Sequence, residues 1–253
     1  MKNMLIILVC LLFTGCWTVP SPEPSTYRAF FVGISKYENG WTLPSPAENT
    51  NRLEDLFSQC KFGEDEIGFE VIEKLTNYNA TKANILNGIL SAFAETDEND
   101  VSYFYYMGHG GLKGGIPIII PTDYPTVLTV HELEECLSMI PGTKIILLET
   151  CHAGSFIDKD IALEPFTDFS LDLLNKGGYQ VLASSAGDQS TWDSKDGSYF
   201  CKYLIEGCKD LWADTNEDEI VDISELYQYI KSNVTKQIVQ IFPEESVFPI
   251  MEY

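Results

Sequence analysis

Two nearly unbroken apolar runs constrain this chain more than any other feature. Val101 to Met107 (VSYFYYM) and Lys144 to Glu149 (KIILLE) show no alternation of wet and dry positions. Short runs of that kind are strands covered on both faces. Other β-rich runs lie at Tyr27 to Ile34, Phe69 to Leu75, Ile116 to Ile120 and Tyr179 to Ser184. Between them stand segments of helical spacing: Pro46 to Cys60, Thr81 to Phe93, Val130 to Ile140 and Tyr199 to Lys209. Leu53, Phe57 and Cys60 share one face of the first, and Ile85, Leu86, Ile89, Leu90 and Phe93 form the stripe of the second. Strands alternating with helices imply βαβ crossovers, hence an α/β fold with a mainly parallel central sheet and helices on both faces. In such sheets ligands bind beyond the carboxyl ends of the strands.

Both buried strands run into reactive residues. VSYFYYM leads into Gly108-His109-Gly110-Gly111, and KIILLE into Thr150-Cys151-His152-Ala153-Gly154-Ser155. A nucleophilic cysteine needs a base or cation that raises its thiolate fraction, and a histidine supplies either. The chain has three histidines. His131 opens an amphipathic helix, and His152 adjoins Cys151 with its side chain diverging, so His109 is the best partner. The amides of Gly110 and Cys151 are the natural oxyanion donors, since glycines let backbone N–H groups approach a carbonyl. On the residues alone, a catalytic pair stands level with a structural histidine beside an inert thiol.

Taken together, YFYYMGHGG and IILLETCHAGSF resemble the His-Gly and Asp/Glu-x-Cys-x-x-Gly motifs of caspase-like cysteine peptidases, above all their bacterial caspase and metacaspase homologues. YRAFFVGISKYENG, IIIPTD, LASSAGDQST and GSYFCKYLIEG agree in order, so the resemblance runs from Tyr27 to about Val234. It implies a caspase-like three-layer sandwich and a cysteine endopeptidase that needs no cofactor. Cys151 attacks the peptide carbonyl and His109 protonates the leaving amine. Metacaspase-like enzymes carry an acid matching Glu149 and another in the loop matching Asp188-Gln189-Ser190, and they cleave after Arg or Lys. Glu149 points the same way as Cys151 along a strand, so Glu149 and Asp188 are the expected substrate-binding acids. One departure stands out: bacterial relatives usually read Ala-x-Asn-Asp in the first helix, where this chain has Ala47-Glu48-Asn49-Thr50. Two alternatives stay open, an inactive caspase-like scaffold that binds a peptide or protein, and a legumain-like peptidase or transpeptidase acting at Asn.

Asp214 to Glu225 (DTNEDEIVDISE) matches the spacing of a calcium loop, with Asp214, Asn216, Asp218 and Glu225 at positions 1, 3, 5 and 12 and Ile220 at position 7. Position 6, normally glycine, is Glu219, and an acidic helix-capping loop is the competing reading. The leader consists of Lys2, an apolar run from Leu5 to Phe13, and Phe13-Thr14-Gly15-Cys16. The run is shorter than the roughly 20 residues that span a bilayer. Its end resembles the lipobox of bacterial lipoproteins, which implies cleavage before Cys16, lipid on its sulfur and an exported, membrane-anchored location. Residues 1–15 then form the signal, 16–26 a Pro-rich tether, 27–236 the peptidase domain and 237–253 a tail. A net charge of −22 repels phosphate backbones, which disfavours nucleic acid as a partner and leaves peptides or proteins.

Overall fold

The computed structural model describes residues 25–157, 178–193 and 197–252. The leader, Cys16 and most of the Pro-rich tether lie outside the described residues. The strands are Tyr27–Gly33 (β1), Phe69–Thr76 (β2), Val101–Met107 (β3), Gly110–Lys113 (β4), Ile116–Ile119 (β5), Leu128–Thr129 (β6), Thr143–Glu149 (β7), Tyr179–Ala183 (β8), Ile220–Asp222 (β9), Gln240–Phe242 (β10) and Pro249–Glu252 (β11). The α-helices are Pro46–Phe57 (α1), Lys82–Ala92 (α2), Val130–Ser138 (α3), Tyr199–Lys209 (α4) and Ile223–Asn233 (α5).

A six-stranded sheet in the order β10-β8-β7-β3-β1-β2 forms the middle layer. Five of its strands are parallel, and β10 alone runs antiparallel at one edge. The apolar runs that opened the sequence reading are its two central strands, β3 and β7. All seven residues of β3 are buried. Alternate side chains divide between two cores. Phe31, Tyr103, Tyr105 and Leu147 pack against α1, α4 and α5, whereas Phe30, Phe104, Tyr106 and Leu148 pack against α2 and α3. Period-2 alternation thus makes a three-layer sandwich, as expected.

Caps fix where the helices begin. Thr81 and Ser198 accept from the third backbone N–H of α2 and α4, and Thr129–Glu132 and Asp222–Glu225 are full capping boxes for α3 and α5. Each such cap is worth about 1 kcal/mol. The first helix ends at Phe57 rather than at Cys60, because Gln59 N–H and Cys60 N–H bond to Leu56 O and Phe57 O in a tightened last turn.

The stretch after residue 236 is not a separate tail. β10 pairs with β8, and β11 pairs with β9, with Met251 opposite Val221. Ile250 and Met251 are buried in the core beneath α5. Strands of three and four residues are too short to show a period, which hid them in the sequence. Cys136, Cys201 and Cys208 are buried free thiols, and Cys151 is a partly exposed one.

Candidate active site

β3 and β7 run in parallel register with Met107 opposite Glu149, and Gly108 N–H donates to Glu149 O at 3.3 Å. Two residues further along each chain lie His109 and Cys151, at matching positions past the carboxyl ends of neighbouring strands. Tyr37 and Tyr106 hold the histidine's backbone. Its N–H donates to Tyr37 Oη at 2.7 Å, and its carbonyl accepts from Tyr106 Oη at 2.8 Å. The imidazole packs against Tyr37 and Trp41, with ring centroids 4.9 and 5.6 Å away. Burial pushes the His109 pKa below its ordinary 6.5, so at neutral pH the ring is uncharged and able to take a proton.

The turn after β7 is clamped by the loop after β8. Thr150 O accepts from Ser185 Oγ and Thr191 Oγ1, both at 3.1 Å. His152 takes a left-handed φ of 61°, its N–H donates to Gln189 O at 2.8 Å, and its Nδ1 lies 2.7 Å from Gly187 O. A carbonyl only accepts, so Nδ1 carries the proton. The His152 ring is therefore a strut between two loops. His131 sits in the first turn of α3. A β-carbon at Gly110 would lie 2.1 Å from Thr150 Oγ1 and 3.1 Å from Cys151 O. Only glycine lets the start of β4 press against the cysteine's own peptide, and this brings together the two residues expected to supply oxyanion donors.

A buried polar cluster adjoins this pair on the α1/α4 side of the sheet. Glu149 is 1% exposed. Its Oε2 accepts from Tyr105 Oη at 2.7 Å, while its Oε1 is without a hydrogen-bond partner. Burial raises the Glu149 pKa to about 7; the Ser198 and Tyr105 hydroxyls and the Cys201 amide oppose the rise, and the nearby Asp193 charge adds to it. Asn49 is also buried, donating to Ser45 Oγ at 3.1 Å and Met107 Sδ at 3.3 Å, with its Oδ1 unpartnered. Asp193 accepts from Ser45 N–H at 3.2 Å and from Ser45 Oγ, at the N-terminus of α1. The second acid beside Glu149 is thus Asp193. Asp188, expected there from the sequence, sits exposed five residues earlier in the same loop.

Sequence reasoning missed Ser45 and Asp193. The available signal was Asp193 itself, two residues past the Thr191 that anchors the turn after β7. Thr50 is fully buried and gives its hydroxyl to Pro46 O at 2.8 Å. A β-carbon on Gly33 would fall 2.0 Å from that hydroxyl, so the threonine marks close contact between α1 and β1.

The 214–225 loop uses its oxygens on its own backbone. Asp214 accepts from Glu217 N–H at 2.8 Å and Glu219 N–H at 2.9 Å, Asn216 from Asp218 N–H at 3.0 Å, and Asp218 from Ile220 N–H at 3.0 Å. Glu225 accepts from Thr215 N–H at 2.9 Å and Asp222 N–H at 3.2 Å. Among the described residues no three His, Cys, Asp or Glu side chains converge as a metal-holding group. Glu219 nevertheless takes the left-handed φ of 66° that glycine usually supplies. In this structure the loop's oxygens thus bond to its own backbone, and Asp222 and Glu225 cap α5.

Fold and site together define an α/β protein with a thiol and an imidazole at the carboxyl edge of its sheet. The caspase domain profile matches residues 26–247, and the chain belongs to that family. It is 27% identical to Metacaspase-1 of Plasmodium falciparum over 52% of its length and 24% of the relative's. It is 24% identical to Metacaspase-1A of Aspergillus niger, over 69% of its length and 48% of that protein. The chain thus spans less than half of either curated relative. The structure of Caspase-1 from Spodoptera frugiperda superposes with a TM-score of 0.60 at 17% identity, covering 88% of this chain and 87% of that one. A protein of Geobacter sulfurreducens superposes with a TM-score of 0.61 at 16% identity, covering 86% and 92%. These likenesses establish the caspase fold.

Proposed function

We propose that the chain is a cysteine endopeptidase that cleaves after Arg or Lys. The observation that supports this reading is the register of β3 and β7, which ends with Met107 opposite Glu149, two residues short of His109 and Cys151 respectively. His109, uncharged at neutral pH, takes the thiol proton as Cys151 Sγ attacks the scissile carbonyl. The N–H groups of Gly110 and Cys151 stabilise the oxyanion, a contribution of about 3–4 kcal/mol for a single donor. His109 then protonates the leaving amine, and water hydrolyses the thioester with the same imidazole as base. All of these groups belong to the chain itself.

Support for a basic residue before the scissile bond comes from the cluster around Glu149. A buried carboxyl with one unpartnered oxygen is costly until a cation reaches it. A guanidinium or ammonium entering from the Cys151 side satisfies Glu149 Oε1, with Asn49 Oδ1 and Asp193 as further acceptors. Asp193 occupies the role that the family's helix acid would fill from position 50. The proposal includes export and lipid attachment at Cys16, supported by the Leu5 to Phe13 run; loss of fatty-acid labelling in Cys16→Ser tests it. For the activity, purified protein is assayed on fluorogenic peptides ending in Arg, Lys, Asn or Asp beside Cys151→Ala. Turnover confined to Arg and Lys, abolished in the variant, is expected. Equal turnover by Cys151→Ala, or preference for Asn or Asp, sinks the reading.

A further inference from the structure

An exposed aromatic pair adjoins His109, whose partner Tyr37 lies on the sheet face opposite that of Glu149. Trp41 and Tyr124 are 44% and 41% exposed, yet their rings pack together with centroids 4.8 Å apart. Trp41 also meets the His109 imidazole edge to face, with an interplanar angle of 77°. Exposed tryptophan is costly in water, and an exposed aromatic pair beside reactive groups calls for an occupant.

The pair is rigidly mounted. Trp41 O accepts from Tyr37 N–H at 3.0 Å, and Leu43 N–H donates to Ser35 O at 2.9 Å. Lys36 and Thr42 form an isolated antiparallel bridge that closes the loop into a small hairpin. That hairpin is fastened to the loop carrying Tyr124, since Glu38 N–H donates to Thr122 O at 3.1 Å and Thr122 Oγ1 to Lys36 O at 3.3 Å. A preformed aromatic surface loses little entropy on binding.

Position then selects the ligand. Glu149 belongs to the sheet face whose core includes Tyr105 and Met107, whereas Tyr37, whose ring packs against His109, belongs to the other core with Tyr106 and Ile119. A peptide crossing the dyad places the side chain before the scissile bond toward Glu149. The next residue, whose amine His109 protonates, lies on the histidine side. We propose that Trp41 and Tyr124 form a shelf for a large apolar or aromatic side chain on the residue following the scissile bond. This rests on the peptidase reading above and adds a second specificity to it.

The test uses internally quenched peptides with Arg before the scissile bond and Phe, Leu, Gly or Asp after it. The wild type is expected to favour Phe and Leu over Gly by roughly 10-fold in kcat/KM, the discrimination a hydrophobic subsite supplies. Trp41→Ala and Tyr124→Ala should each reduce that ratio to about 2-fold, and Trp41→Phe should restore most of it. The ratio is the readout, because Trp41 touches His109 and its loss can lower all rates together. Tyr124→Ala, whose ring meets Trp41, checks the shelf at one remove from the histidine. No wild-type preference, or a ratio unchanged in both alanine variants, overturns the proposal. Should no peptide be hydrolysed, the peptidase reading fails on its own. Fluorescence anisotropy with Cys151→Ala then decides the shelf: tighter binding of the Arg-Phe than the Arg-Gly peptide, lost with Trp41→Ala, sustains it, and equal affinities overturn it.

Discussion

Replacing Glu149 with glutamine should stabilise the free protein at neutral pH while removing the proposed recognition of basic side chains. The carboxyl is buried, and its pKa stands at about 7 instead of 4.5. At 1.36 kcal/mol per pKa unit, that difference corresponds to about 3 kcal/mol. The sign follows from proton counting. Below about pH 4.5 the group is protonated both folded and unfolded and contributes nothing. Between about 4.5 and 7 the unfolded chain has released this proton and the folded one retains it, so rising pH favours unfolding. Above about 7 the loss is complete. Relative to Glu149→Gln, the wild type should therefore lose about 3 kcal/mol across that window and run parallel on either side. Urea denaturation followed by tryptophan emission, at intervals from pH 4 to 8, measures the difference directly, since the other carboxylates are common to both proteins. An Nα-blocked arginine amide at pH 7.5 should raise the unfolding midpoint of the wild type and leave that of Glu149→Gln where it is. A difference flat to within about 1 kcal/mol over the pH range refutes the reasoning.

Three further outcomes are expected. The acid limb of kcat/KM on a peptide substrate should include a group titrating below 6.5, since burial lowers the His109 pKa and imidazolium cannot accept the thiol proton; a pH–rate profile checks this, and His109→Ala should reduce kcat by at least about 100-fold. Gly110→Ala should nearly abolish turnover, and adding Thr150→Ala should recover part of it, because the nearest clash is the Thr150 hydroxyl at 2.1 Å; equal activity of the single and double variants would place the obstruction in the backbone. Met251→Ala should destabilise the fold by about 2–5 kcal/mol in denaturant unfolding, as its fully buried side chain belongs to the core under α5.

The parts of this molecule legible from the sequence share one property: they depend on residues close together in the chain. VSYFYYM and KIILLE declare buried strands within seven and six positions, and each carries its reactive residue two positions past its end. Once the strands are parallel neighbours in this register, His109 and Cys151 stand at matching positions past their ends. The polar cluster beside them follows a different rule. Ser45 and Asp193 are 148 positions apart, and nothing local in either segment predicts their bond. Asp188 and Asp193 lie in one loop, and the loop's path decides which of them turns toward α1.

Thr50 shows what this implies for specificity. The Gly33 contact leaves no slack between β1 and α1 at that point, and the hydroxyl folds back onto Pro46 O. An acid is supplied instead at the start of the same helix, where Asp193 receives the Ser45 amide. The helix dipole favours negative charge there. In the proposed pocket, Glu149, whose pKa burial raises to about 7, releases its proton when a cation arrives to compensate it. Such a pocket should tighten on basic side chains as pH rises through about 7, a dependence that a pair of exposed carboxylates would not show.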